Sequence, residues 1–219
     1  MSSDAYDIGV MVAHPDDEVL WCGGLLLAHP EWRARIGTLC RAGDPDRAPR
    51  FRAVLARLGA DGGMRDADDG PEQAPLAAAE VRAAVLALLG EERYDLLLTH
   101  GPAGEYTRHR RHEEVSRAVT ALWLDGRLRA RRLWLFAYED GRRRYLPRPD
   151  AGAHRCAPLP PAVWREKSRL IREVYGFAGE SWEARAAPRA EAFWCFDAPD
   201  ALGAWLAHWR EMHEGAGAL

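Results

Sequence analysis

The chain has 219 residues, 47% of them hydrophobic, and a formal net charge of −3. That is enough for one sizeable core in a single domain, and the charge lacks the basic footprint of a nucleic-acid binder. No apolar run approaches the roughly 18 residues of a membrane span, and the polar, acidic start "MSSDAYD" is no signal peptide, so a cytoplasmic protein is expected.

In chain order, "IGVMVAH" (8–14) predicts a buried strand, being short, apolar and β-branched. "PDDEVLWCGGLLLAH" predicts a helix, with Pro15 at its first position and acids in its first turn, where the dipole favours them. The Gly23-Gly24 pair weakens that helix or lets something pack closely. "RIGTLC" (35–40) is a second strand, and "RAGDPDRAPR" a polar loop. "FRAVLARLGA" (51–60) has helical spacing and ends at a glycine. Residues 61–75 read as a long acidic, Gly-rich loop, and 76–92 as an amphipathic helix. "YDLLLTH" (94–100) is another buried strand, 112–124 a helix and 131–139 a strand. A Pro-rich connection (147–161) leads to a helix over 162–177, and "DALGAWLAHWREMH" closes the chain as a helix. Strands alternating with helices define an α/β, Rossmann-like, mostly parallel sheet covered by helices on both faces, in one domain.

Ligands in such sheets sit outside the carboxyl ends of the strands. His14 ends the first strand and His100 ends "YDLLLTH", which "GPAGEYTRHRRH" follows, so both unusual stretches fall at one rim. His14 and Asp17, three apart in a strand-to-helix turn, can face one point and bind a borderline metal such as Zn²⁺. Asp16 and Asp17 are neighbours whose side chains should diverge. One can hold a metal while the other faces the water a metal acidifies, which suits a general base. A purely structural reading, in which the acids simply serve a helix N-terminus, is also open. His109 and His112 are three apart at a helix start and can share a face. His112 could be a third ligand, with His109 beside it to polarise a carbonyl or protonate a leaving group; two histidines and a carboxylate leave the fourth position a hydrolytic zinc site needs. The competing reading is a basic solvated face, since Arg108, Arg110 and Arg111 interleave with these histidines.

"AHPDDE" at 13–18 together with "HRRH" at 109–112 resembles the PIG-L/LmbE-like family of metal-dependent de-N-acetylases, which act on N-acetylglucosamine conjugates. The resemblance runs over most of the chain: Arg47 to Gly59 is similar to the family's Arg-containing helix ending in Leu-Gly, Asp69-Gly70 to its Asp-Gly loop, 80–100 to the helix and strand before the second motif, and "REKSRLIREVYGFAGESW" to its Lys-containing C-terminal helix. It implies a zinc-dependent deacetylase in which His14, Asp17 and His112 hold the metal, Asp16 is the general base and His109 the electrophile or acid. Arg47 and Asp69 would contact substrate hydroxyls. The implied partner is a small amino-sugar conjugate; the subunit number is left open, a homo-oligomer included. His/Asp sites also accept Fe²⁺, Co²⁺ or Ni²⁺. The family's usual second motif is H-P-D-H. The acid between the histidines is missing here, so a carboxylate orienting His109 must come from elsewhere, with Glu105 a candidate, and the added arginines could favour an anionic substrate.

Two further classes stay in play: a binding protein that kept the fold but lost turnover, and a metal-dependent hydrolase of another amide or a phosphoester. A nucleotide-binding oxidoreductase is disfavoured, since "GVMVAHPDDE" lacks the glycine-rich turn. Cys22, Cys40, Cys156 and Cys195 form no CxxC pair and read as buried free thiols. Trp21 reads as core, His100 as a group behind the ligands, and Tyr106 as either pocket or packing.

Overall fold

A computed structural model describes residues 6–90, 92–107 and 109–214. The first residues of "MSSDAYD", Glu91 in the expected 76–92 helix and Arg108 lie outside the described residues. The sheet strands are β1 (Asp7–Val12), β2 (Arg33–Cys40), β3 (Asp61–Ala67), β4 (Leu96–Thr99), β5 (Leu133–Phe136), β6 (Arg155–Pro158) and β7 (Ala190–Phe196). The helices are α1 (Asp17–Ala28), α2 (Arg47–Leu58), α3 (Ala78–Leu89), α4 (Arg110–Leu124), α5 (Pro161–Arg169), α6 (Trp182–Ala186) and α7 (Pro199–Glu214).

The sheet has seven strands in the order β6-β7-β5-β4-β1-β2-β3. The run from β5 to β3 is parallel, while β7 pairs antiparallel with both β5 and β6. β1 is the middle strand of the parallel run, with Val10 in register with Ile36 on one side and Leu98 on the other. Its side chains Ile8, Val10, Met11 and Val12 are wholly buried, as its apolar run requires. Helices α1 and α5 pack together, with α2 joined to them through the π-helical turn (Leu170–Val174) that follows α5, and α3, α4 and α7 form another group. Since β2 and β4 flank β1, the chain leaves the centre in both directions. The carboxyl ends of β1 and β4 are therefore the switch point where a ligand crevice opens.

Several boundaries differ from expectation for identifiable reasons. Helix α1 starts at Asp17, so Pro15 sits in the preceding turn and not at the first helical position. Helix α2 starts at Arg47, inside the expected polar loop. Asp44 Oδ1 accepts the N–H groups of Asp46 and Arg47, both at 2.9 Å, and Pro49 falls in the first turn, where no donor is needed. The expected loop over 61–75 begins as strand β3, an edge strand with little apolar patterning. The expected 162–177 helix is α5 followed by a π-helical turn, Leu170–Val174. Strand β6 lies within the Pro-rich connection.

The Gly23-Gly24 pair does admit a close neighbour. A β-carbon on Gly24 would lie 2.5 Å from a Leu159 methyl and 2.9 Å from Glu191 Oε1. Instead, the Glu191 carboxylate accepts the N–H groups of Gly24 and Leu25, each at 2.7 Å, and pairs with the buried Lys167 ammonium at 2.6 Å. Of the thiols, Cys22 and Cys40 are buried as expected, but Cys156, on the edge strand β6, is exposed, and Cys195, on β7 beside it, is half-buried.

Candidate metal centre and pocket

After β1 the chain bends sharply. Asp16 takes φ 123° and ψ −28°, a conformation few non-glycine residues adopt. The bend is braced from the side. The Asp16 N–H donates to Glu18 Oε2 at 3.1 Å, and the Tyr175 hydroxyl donates to Glu18 Oε1 at 2.5 Å. Tyr175 directly follows the π-helical turn, which aims it at the bend. Burial pushes the Glu18 carboxyl up to about 7 against the pull of Tyr175.

The bend turns His14 and Asp17 toward His112, in the first turn of α4. Three atoms form a nearly equilateral triangle. His14 Nδ1 lies 3.2 Å from Asp17 Oδ2, His112 Nε2 lies 3.3 Å from the same oxygen, and the two nitrogens are 3.3 Å apart. Ligands about 2.0–2.1 Å from a tetrahedral zinc ion stand about 3.3–3.4 Å from one another, so the triangle has the size of one face of such a site.

Hydrogen-bond partners decide which ring nitrogens face the triangle. His112 Nδ1 contacts Glu105 Oε2 at 2.6 Å, which puts the ring proton there and leaves the Nε2 lone pair free. His14 Nε2 contacts Asp69 Oδ1 at 3.1 Å, which frees its Nδ1. Asp17 Oδ1 accepts the Trp21 indole N–H at 3.0 Å, so Trp21 is core and also holds that carboxylate. Each metal-facing group thus has an orienting partner behind it, the arrangement that fixes ligands in metal sites. His100 comes close too, with Nε2 3.6 Å from Asp17 Oδ2. That nitrogen already accepts the Ala13 N–H at 2.9 Å, while Nδ1 bonds Glu105 at 2.8 Å, so His100 stands behind the ligands.

The charges are strongly coupled. Burial opposes protonation, but Asp17 and Glu105 push the His112 imidazole up to about 9. Despite burial, His100 and His112 hold Glu105 down to about 2. Despite burial, His112 and His14 hold Asp17 below the usual carboxylate range. Without a cation the triangle must carry protons, yet two nitrogens 3.3 Å apart cannot both point a proton at each other. A divalent ion satisfies all three lone pairs at once, displacing those protons. The residues therefore fit a metal.

The other wall of the pocket is less saturated. Burial, then the adjacent Asp17, raise the Asp16 carboxyl well above its ordinary value. Arg47 lies with its guanidinium 4.2 Å over the Phe177 ring. Its Nη1 is 3.8 Å from Asp16 Oδ2, too far for a hydrogen bond, and is buried with no partner among the described residues. His109 Nδ1 is likewise buried without a partner. Burial, then His112 and His14, lower the His109 imidazole to about 3. Tyr106 and Trp182 meet edge to face at 4.6 Å beside these groups, with Trp182 37% exposed.

All seven sequence-derived site residues converge on this pocket: His14, Asp16, Asp17, Arg47, Asp69 and His109 line it, and His112 closes the triangle. Two attributions change. Glu105 orients His112 and His100, not His109, because its carboxylate lies on the far side of His112. The arginines of "HRRH" are not one solvated face: Arg110 is exposed, but Arg111 is wholly buried and bonded inward. Sequence reasoning missed Arg41, Tyr175, Phe177 and Trp182. The signal for Tyr175, Phe177 and Trp182 was position, in the stretch similar to the family's C-terminal helix; Arg41, in the stretch read as a polar loop, gave no sequence signal.

No protein-family model and no curated protein matches the chain. Solved structures do. The N,N'-diacetylchitobiose deacetylase of Pyrococcus horikoshii superposes with a TM-score of 0.64 at 16% identity, over 89% of this chain and 85% of that one. The zinc-inhibited form of a teicoplanin deacetylase gives 0.59 at 14% identity, over 89% and 99%. The 4-carboxy-2-hydroxymuconate hydratase of Pseudomonas putida gives 0.57 at 13% identity, over 87% and 95%. The chain shares its fold with these deacetylases, and that fold also carries a hydratase.

Proposed function

We propose that residues 1–219 form one PIG-L/LmbE-like domain that hydrolyses the N-acetyl, or another N-acyl, group of an N-acetylglucosamine-type conjugate. The observation that carries this reading is the triangle of His14 Nδ1, Asp17 Oδ2 and His112 Nε2, with Asp16 beside it. These three would hold Zn²⁺, with Fe²⁺ or another divalent transition metal as the alternative. When bound, such an ion supplies Lewis acidity and an acidified water. Asp16 then accepts the proton of the attacking water. Asp17 cannot do so, since its oxygens are committed to His14, His112 and Trp21. His109, kept neutral by its lowered pKa and with an unpartnered Nδ1, donates a hydrogen bond to the developing oxyanion, and the proton taken up by Asp16 passes to the leaving amine. Arg47 offers its unpartnered Nη1 to a substrate oxygen. Asp69, whose oxygens face His14 and Arg41, would share those bonds with a substrate hydroxyl. The fold of the two deacetylases supports this reading, as do the aromatic rings of Tyr106 and Trp182, which suit a sugar face. A cytoplasmic setting fits the buried free thiols Cys22 and Cys40.

The test is elemental mass spectrometry on untagged protein prepared without chelator, followed by a substrate panel. About one divalent transition metal per chain and amine release from N-acetylglucosaminides are expected. No metal after incubation with Zn²⁺ would leave a binding protein. A metal with phosphoester hydrolysis, or with hydration of an unsaturated acid as in the hydratase neighbour, would assign the site to other chemistry.

A further inference from the structure

The arginine that replaces the acid of the second motif is not idle. Arg111 lies in the first turn of α4, where a positive charge opposes the helix dipole, and it is wholly buried. Its guanidinium uses all three nitrogens. Nε donates to the Asp68 carbonyl at 2.5 Å, Nη2 to the Ala74 carbonyl at 3.0 Å, and Nη1 to Glu114 Oε2 at 2.6 Å. Glu114 Oε1 in turn accepts the Leu76 N–H at 3.0 Å. This fork closes the segment 68–76 against α4, gripping it on both sides of Asp69. Asp69 is the residue whose Oδ1 meets His14 Nε2 at 3.1 Å, while Arg41 holds its Oδ2 at 2.7 Å.

We infer that Arg111 is a positioning residue for the metal site: by clamping the 68–76 loop it places Asp69, and Asp69 in turn sets the tautomer and angle of His14. Arginine suits this place because a planar fork can span two carbonyls and a carboxylate in fixed geometry, which a lysine ammonium cannot. The carboxylate behind a ligand histidine governs metal affinity, so a change at Arg111 should be felt at the metal although it touches no ligand. In this chain the second motif therefore serves both metal histidines, His112 by supplying it and His14 through Arg111 and Asp69.

The inference rests on the metal reading above, and its test separates the two. Metal dissociation constants, measured by competition with a chromophoric chelator, and the visible spectrum of the Co²⁺ form are compared for wild type, Arg111→Ala, Asp69→Asn and the double variant. Circular dichroism and thermal melts are run in parallel. We expect folded Arg111→Ala to bind metal about 10- to 100-fold more weakly with an altered Co²⁺ spectrum. The double variant should be no weaker than Asp69→Asn alone, since both changes act on one link. An unchanged affinity and spectrum, with or without a lower melting temperature, would reduce Arg111 to a structural residue. Additive losses would also overturn the route through Asp69. If Arg111→Ala does not fold, Arg111→Lys keeps the charge beside Glu114 but not the fork. It is then expected to bind metal more weakly, and wild-type affinity in it would overturn the inference. A wild type that binds no metal would instead defeat the metal reading itself.

Discussion

The two walls of the pocket differ in how their polar atoms are satisfied. On the wall of His14, Asp17, His100, Glu105 and His112, the side-chain nitrogens and oxygens are matched to one another, and the three that face inward do so as a set. On the wall of Arg47 and His109, Arg47 Nη1 and His109 Nδ1 are buried with no partner among the described residues. Leaving a buried donor unmatched costs about 1–3 kcal/mol, so in a pocket such atoms are candidate contacts for a bound group. In the proposed reading the first wall would hold a small cation, and the second would be completed by a substrate.

Removing a member of the finished wall should have the largest effect. Asp17→Ala is expected to abolish metal binding, with near-zero metal per chain by elemental analysis and turnover down by at least about 10³-fold. A variant that kept full metal would erase the distinction between the walls. Next comes the proposed base. Asp16→Ala should keep metal and fold but lose about 10²- to 10⁴-fold in kcat, and near wild-type turnover would reassign the proton acceptor. The smallest effect belongs to the open wall. Phe177→Leu removes the ring beneath the Arg47 guanidinium, an interaction of about 0.5–1 kcal/mol, and should raise KM roughly two- to fivefold with little change in kcat. A change in metal affinity there would mean that the walls are coupled.

Much of this was legible in the sequence because the signals were local. The run before His14 needed no tertiary information to mark a strand end, and the spacing of His14, Asp16 and Asp17 marked candidate ligands beside it, with a plain helix N-terminus equally open apart from the family resemblance. Strand β3 was not legible, because an edge strand carrying Gly62 and Gly63 has little of the apolar pattern that marks a buried one. Its glycines are required by proximity: a β-carbon on Gly62 would collide with the Ile36 carbonyl oxygen. The orienting pairs were hidden for a different reason. Asp69 meets His14 across 55 residues, and Arg111 meets Asp68 across 43, so only the folded sheet brings them together. The brace on Asp16 was hidden likewise, since it depends on a π-helical turn that re-aims Tyr175 within what reads as one continuous helix.

The carboxylate of Glu191 reaches into the first helix at Gly24, across 167 residues of chain. A ribosome adding about 5–20 residues per second needs on the order of 10–30 s to cover that distance. Until then the nascent chain lacks the acceptor for two amides of α1 and the counter-charge of Lys167. A translation pause between His112 and Glu191 therefore exposes a chain that already carries His14, Asp17 and His112 but not the finished helix that holds Asp17, and the last strand to be made completes the first helix to be started.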